Sequence, residues 1–496
     1  MKDFEVSDFF LRKSLRYGLL LFFLVPYIIF FKYFQPHIEL DTQEFFWAFK
    51  NSLIQSGLTA ILVTAISVPL SFGLFVLPEA LYKSISRVLL IPQILPALFS
   101  ILIAFSLIKP FPMGTIGIVL IFTLIHLGYS MLRIHLATQE KLGAAGFVAE
   151  VYGLSTWDFF LKIYFPLMRS ELIMNLVMIF TFCFSSFSIP LIVGGGLGTN
   201  LEVLIYEKIF ISQNWSAAWI LNLLQALFVV FLSFMFIRKN NLSKQEFIKS
   251  RYLISNFGLV CVCLYLVIYI GGYLAGLLQS LPAISSLVGF SAEIFQATLH
   301  SLRMLFWYLL LSFFILVIWI LDFIKNHQQN PARHLVSASI ILVSFAFYLF
   351  FPQDKSFDIL KIVFAMSILF FPTLFKSFLE KPLEQLQSQI LVAEVYGISL
   401  VVVIFQIVLR QIFQPFLIWI SFLTVWFLSD FAIQKSLGTQ TLTVGLLSEN
   451  FLTSYRLSQA YLMSFYILTL WFFVLVMLYF IFEVAHVMYK KFIFEA

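Results

Sequence analysis

Apolar residues run along this chain in long blocks separated by short polar breaks. A block of about 20 mostly apolar residues is long enough to cross a bilayer as a helix. Twelve such blocks are legible, at roughly 15–35, 50–77, 88–109, 114–136, 166–193, 215–237, 253–277, 297–322, 334–351, 357–379, 411–433 and 457–484. The block at 334–351 is the weakest in length. The first block follows Arg12, Lys13 and Arg16 and has no small-residue cleavage site. It is also too long for the apolar core of a signal peptide, so a first transmembrane helix is expected there. The pattern predicts an all-α integral membrane protein with about 12 transmembrane helices.

Charge gives the blocks a direction. With the N-terminus placed in the cytoplasm, 22 of the 31 Lys and Arg residues fall on inside segments. That bias predicts both termini inside, and it makes the net charge of +6 a topology signal. The stretch 238–251, RKNNLSKQEFIKSR, is the most polar between two blocks and lies near the middle of the chain. It reads as a cytoplasmic linker between two six-helix halves, 1–240 and 241–496.

Composition then narrows the class. The chain is 61% hydrophobic and 11% charged, against about 25% charged in soluble domains. Too little polar surface exists for a soluble enzyme. No solvated basic domain is present for nucleic acid. Cys183, Cys261 and Cys263 lie in apolar runs without ligand spacing, and the seven His residues form no HxxxH or HExxH arrangement. No metal site and no catalytic cluster is therefore expected.

The halves repeat. VAEVYG stands at 148–153 and again at 392–397, 244 residues later. At the same offset FSSF at 184–187 faces LSDF at 428–431, and at 240 residues LGTN at 197–200 faces LGTQ at 437–440. NSL at 51–53 also faces HSL at 300–302. Ordered matches at a nearly constant offset argue for duplication. An even number of spans per half makes the repeats parallel rather than inverted.

Each hexapeptide falls in the longest inside segment of its half, between the fourth and fifth spans. Gly153 is placed to end a short helix in the left-handed conformation. Ser155 is placed to cap the next helix with Asp158 as its partner, and Pro166 suits the first turn of the following span. The segment is expected to lie along the membrane surface and offer an elbow to a cytoplasmic partner. Two equivalent elbows suit a two-fold partner.

At this point the sequence resembles the permeases of ABC importers with six plus six helices. Their signature is Glu-Ala-Ala, three residues, Gly, nine residues, Ile, two residues, Pro. Ala149, Gly153, Ile163 and Pro166 fall on it in the first half, and Ala393, Gly397 and Ile407 in the second. Phe147 and Leu391 stand where the signature has Glu, Val148 and Val392 where it has the first Ala, and Arg410 where it has Pro. Glu150 and Glu394 sit three residues after the missing Glu. The stretches 184–209 and 428–456 are similar to the outer end of the fifth helix and the following loop in ferric iron and thiamine permeases, which are often fused two-half chains.

The resemblance implies an importer in the bacterial inner membrane. Two copies of a cytoplasmic ABC ATPase would dock on the elbows, through Ala149, Glu150 and Gly153 and through Ala393, Glu394 and Gly397. A periplasmic binding protein would deliver a small solute to the outer face. The chain has no GxxxxGK[ST] phosphate loop, so the ATP is expected in the partner subunit and no cofactor in this one. Asp430 is the one acidic residue placed at the outer end of a span. With Ser185, Ser186 and Ser429 it forms the candidate pathway set, since intramembrane acids are costly and usually functional. The other class consistent with two parallel halves is a secondary transporter of twelve helices driven by an ion gradient. It would need intramembrane acids or bases for coupling, in which this sequence is poor.

Overall fold

Blocks that are apolar on every face leave no backbone polar group to water, so each must close its hydrogen bonds internally as a helix. The computed structural model describes residues 2–32, 41–236, 248, 250–326, 339–399 and 402–495, and among them no strand occurs. The main helices are α1 (Lys2–Lys32), α2 (Thr42–Gly73), α3 (Ala97–Leu107), α4 (Thr115–Leu142), α5 (Ala145–Val151), α6 (Phe165–Phe184), α7 (Leu201–Phe210) and α8 (Trp215–Phe236). They continue with α9 (Asn256–Leu266), α10 (Ser291–Asn326), α11 (Ile340–Phe350), α12 (Lys355–Phe378), α13 (Gln387–Val395), α14 (Leu409–Ser429), α15 (Val444–Thr453) and α16 (Leu457–Glu495).

Among the described residues nine helices are long and apolar enough to cross a membrane, or ten if one bent pair counts as a span. That pair, Glu79–Ile94 and Ala97–Leu107, turns by 95° where the block at 88–109 was expected to run straight. Pro96 sits at the bend and precedes α3, and proline at that place cannot continue a preceding helix. The block expected at 215–237 appears as α8, Trp215–Phe236, and the block at 334–351 as the shorter apolar helix Ile340–Phe350. Residues 237 and 334–338 of those blocks lie outside the described residues, as does most of the linker at 238–251. The structure is that of a multi-pass helical membrane protein.

Packing divides the chain into two compact units, one of residues 36–282 and one of residues 1–35 with 283–496. In the first, α2 packs on α4 and α6, and α9 packs on α2. In the second, α1 packs on α10 and α11, while α12 and α14 pack on each other and α14 packs on α16. The boundary therefore does not follow the midpoint of the sequence. The helix that opens the sequence packs with residues after 283, and the helices after the linker pack with residues before 236.

Two glycines let α9 approach α2. A Cβ on Gly73 would lie 2.2 Å from Leu259 N and 2.3 Å from Gly258 C, and one on Gly258 would lie 2.6 Å from Pro69 O. Small residues at such crossings replace the missing hydrophobic drive by close backbone packing. Gly73→Ala should therefore push the helices apart and cost about 1–3 kcal/mol, read as a lowered thermal midpoint in detergent. Gly57→Ala, whose Cβ would meet nothing within 4 Å, should leave the midpoint unchanged or raised.

Candidate functional site: two elbows with one geometry

The first elbow begins where α5 runs out. Gly153 takes φ +67°, the left-handed region. Its N–H donates to Glu150 O at 3.0 Å, and Leu154 N donates to Ala149 O at 3.1 Å. This pair of bonds is the Schellman arrangement, which satisfies the last carbonyls of a helix and turns the chain sharply. Ser155 then caps the next turn. Its Oγ accepts from Asp158 N at 3.1 Å and donates to Asp158 Oδ2 at 2.6 Å. Thr156–Phe159 leads through a π-helical stretch, Phe160–Tyr164, into α6, with Pro166 in the first turn.

The second elbow is built the same way. Gly397 takes φ +65°. Its N–H donates to Glu394 O at 3.0 Å, and Ile398 N donates to Ala393 O at 3.0 Å. A π-helical stretch, Val403–Val408, again precedes the long helix, here α14.

Exposure sorts the sequence candidates. Ala149 and Ala393 are buried at 1% and 2%, so both support their elbows from beneath and present nothing outward. Glu150 is half-buried, while Glu394, Gly153 and Gly397 are exposed. The outermost side chains are a pair that sequence reasoning passed over. Val151 and Tyr152 are 68% and 81% exposed, and Val395 and Tyr396 are 84% and 79% exposed. The signal was in the repeated hexapeptide itself, whose fourth and fifth residues these are. A Val–Tyr pair held out on a rigid turn is an amphipathic contact of low entropy cost, the kind enriched in protein interfaces.

The first elbow rests on an apolar base that includes Phe72, Leu142, Ala149, Phe159, Tyr164 and Leu253. The Phe159 and Tyr252 rings stack at 4.6 Å. The elbow is thus seated on α2, α4 and α6 rather than hung from a loop.

The candidate pathway residues sit at helix breaks. Ser185 ends α6, and Ser186 O accepts from Asn200 Nδ2 at 2.7 Å. Ser429 is buried at the end of α14, its Oγ donating to Val425 O. Asp430 follows, and its carboxylate accepts from Ile433 N at 3.2 Å and from Gln434 N at 3.4 Å. Asp430 stands one residue before Phe431, the N-cap of the helix Ala432–Ser436, and its carboxylate reaches the first-turn N–H groups from there. Asp430→Asn keeps an acceptor there and should leave the thermal midpoint unchanged, whereas Asp430→Ala should cost about 1 kcal/mol.

Asp430 is also not alone. Glu202, Asp358 and Glu449 are buried in or beside helices where the sequence reading placed no acid. Each is held: Glu202 by Gln225 at 2.7 Å, Glu449 by Lys435 at 2.7 Å, and Asp358 by the loop at 440–441. Matching serines hold the ends of the two loops that carry LGTN and LGTQ. Ser52 Oγ accepts from Leu201 N at 2.8 Å, and Ser301 Oγ accepts from Val444 N at 3.0 Å. These are the serines of the NSL and HSL matches. Among the described residues no group of three or more His, Cys, Asp or Glu is arranged to hold a metal ion.

No family profile, curated protein or solved structure matches this chain.

Proposed function

We propose that this chain is the membrane-spanning subunit of an ATP-driven importer, built as two parallel six-helix repeats, 1–240 and 241–496. The reading is carried by the two elbows. They share one hydrogen-bond pattern, one left-handed glycine and one outward Val–Tyr pair. A partner with two equivalent subunits needs such a pair of surfaces. Two copies of a cytoplasmic ABC ATPase would bind them, with Glu150, Gly153, Glu394 and Gly397 setting the turn and Val151, Tyr152, Val395 and Tyr396 making contact. Both termini are then cytoplasmic and the loops at 197–200 and 437–440 face outward. A separate binding protein would deliver a small solute of the ferric iron or thiamine type. ATP would be bound and hydrolysed by the partner.

The reading is supported by how the buried acids are engaged. A transporter driven by an ion gradient needs an acid that exchanges its proton or ion with the pathway. Glu202, Asp322, Asp358 and Glu449 are instead tied to partner groups, Asp322 to Asn326 Nδ2 at 2.8 Å, and Asp430 accepts from backbone N–H groups.

Purification from native membranes tests the proposal. The chain alone should hydrolyse no ATP, and a second chain carrying a phosphate loop should co-purify in two copies per molecule. Hydrolysis by the isolated chain, or solute uptake into sealed vesicles driven by an ion gradient without ATP, would overturn it.

A further inference from the structure

The described residues at the end of the inter-half linker, with Tyr252 just after it, lie along the first elbow. Ile248 N donates to Gly143 O at 3.2 Å. A Cβ on Gly146 would stand 3.1 Å from Ser250 Cβ. The Glu150 carboxylate then accepts twice through Oε2, from Ser250 Oγ at 3.2 Å and from Arg251 N at 3.0 Å. Its other oxygen faces the Arg251 guanidinium at 3.8 Å. Tyr252 completes the run, its hydroxyl donating to Leu154 O and its ring stacked on Phe159. Contacts thus follow one another in register from Gly143 to Phe159. Three residues later Ser255 caps α9, the helix locked to α2 through Gly73 and Gly258.

A cavity of about 790 Å³ opens between Phe72, Leu154, Ser155, Tyr252 and Ser255. The elbow packs on its apolar base, and on the side of the cavity it is held by the bonds of Glu150, Ser250, Arg251 and Tyr252.

We infer that Ile248 and the residues Ser250–Tyr252 form a clasp that fixes the angle of the first elbow. Glu150 is its positioning residue, and the elbow and α9 move as one body. Loads reaching Val151 and Tyr152 are then carried through Glu150 and Ser250 into α9 and onward to α2. The clasp itself stands on these contacts. Only the identity of the load, an ATPase, rests on the proposed function.

The test uses the full chain in detergent or native membranes and needs no transported solute. Hydrogen exchange is read at 145–154 and, as an internal reference, at 389–395. Glu150→Ala, which removes the acceptor of both bonds, should raise exchange at 145–154 at least tenfold while leaving 389–395 and the thermal midpoint unchanged. Tyr252→Phe should give a smaller rise at the same place, because the ring stack remains. Unchanged exchange at 145–154 in Glu150→Ala overturns the clasp.

A second variant covers the closed state. Gly146→Cys with Ser250→Cys places two Cβ atoms 3.1 Å apart, a few tenths of an ångström inside the usual disulfide range of about 3.5–4.5 Å. Peptide mapping separates that bond from any made by the free Cys183, Cys261 and Cys263. The bond should form on mild oxidation and leave exchange at 145–154 as it is in the unmodified chain. Failure to form, or a tenfold drop in exchange once formed, means the clasp is open in the native protein and overturns the inference. Co-purification of an ATPase is scored apart. Its absence, with the exchange results as expected, refutes the docking reading and leaves the clasp standing.

Discussion

Gly153→Pro combined with Gly397→Pro should abolish ATPase binding while leaving the chain inserted in the membrane. Each glycine is held at a positive φ, +67° and +65°, which proline's ring forbids. Each also donates its N–H to a carbonyl three residues back, Glu150 or Glu394, and proline has no N–H to give. Both bonds of the turn are lost together and the Val–Tyr pair is re-aimed. The spans are untouched, because both glycines are exposed at helix ends and a Cβ there would meet nothing within 4 Å. Gly153→Ala with Gly397→Ala keeps the N–H and strains only φ, about 1–2 kcal/mol at each position, so binding should weaken rather than vanish. Co-purification of the ATPase with tagged variants, at matched membrane levels, measures both. Wild-type recovery of the partner with the double proline variant would refute the docking role of the elbows.

Asp358→Ala should be the most destabilising single change, costing about 3–5 kcal/mol. Asp358 and Lys361 are each 1% exposed, and their charged groups face one another at 3.6 Å. Asp358 Oδ2 also accepts from Gln440 N at 2.9 Å, Thr441 N at 2.9 Å and Thr441 Oγ1 at 2.7 Å. Removing the carboxylate strands a buried ammonium with only Gln353 Oε1 at 3.1 Å, and it frees two backbone donors of the loop at 440–441. The double change Asp358→Ala with Lys361→Met removes both charges and should recover part of the loss. Thermal midpoints of the two variants in one detergent decide it. A double variant no more stable than Asp358→Ala would show that the loop bonds, not the ion pair, carry the cost.

Much of this was legible because the bilayer is a demanding solvent. A run of 20 apolar residues has almost no other use, so most spans could be located from length and composition alone. The elbows were legible for a different reason. Six residues repeated at an offset of 244, with Gly last, mark a shape built twice. The orientation of Ala149 and Ala393 was not legible, because their burial depends on the phase of a short helix whose neighbours lie far off in sequence. The buried pair Asp358 and Lys361 was hidden at the edge of a hydropathy block, where two opposite charges read as the end of a span. The bend at Pro96 was masked by the apolar residues on both sides of it. The packing of α1 on α10 and α11 could not be read at all, since nothing in a lipid-facing helix encodes which later helix will cover it.

That last arrangement has a consequence for how the protein is made. α1 leaves the ribosome long before the helices it packs on. At about 5–20 residues per second, the stretch from Lys32 to Ser291 takes on the order of ten to fifty seconds to synthesise. Throughout that interval α1 waits in the bilayer without its partners. The unit of residues 36–282 likewise waits for α9 before the surface around Gly73 is covered. A ribosome that stops near residue 240 leaves α1 without α10 and α11, and leaves the face of α2 around Gly73 without α9. Assembly of the unit of residues 1–35 with 283–496 therefore cannot begin until all of residues 36–282 have been synthesised.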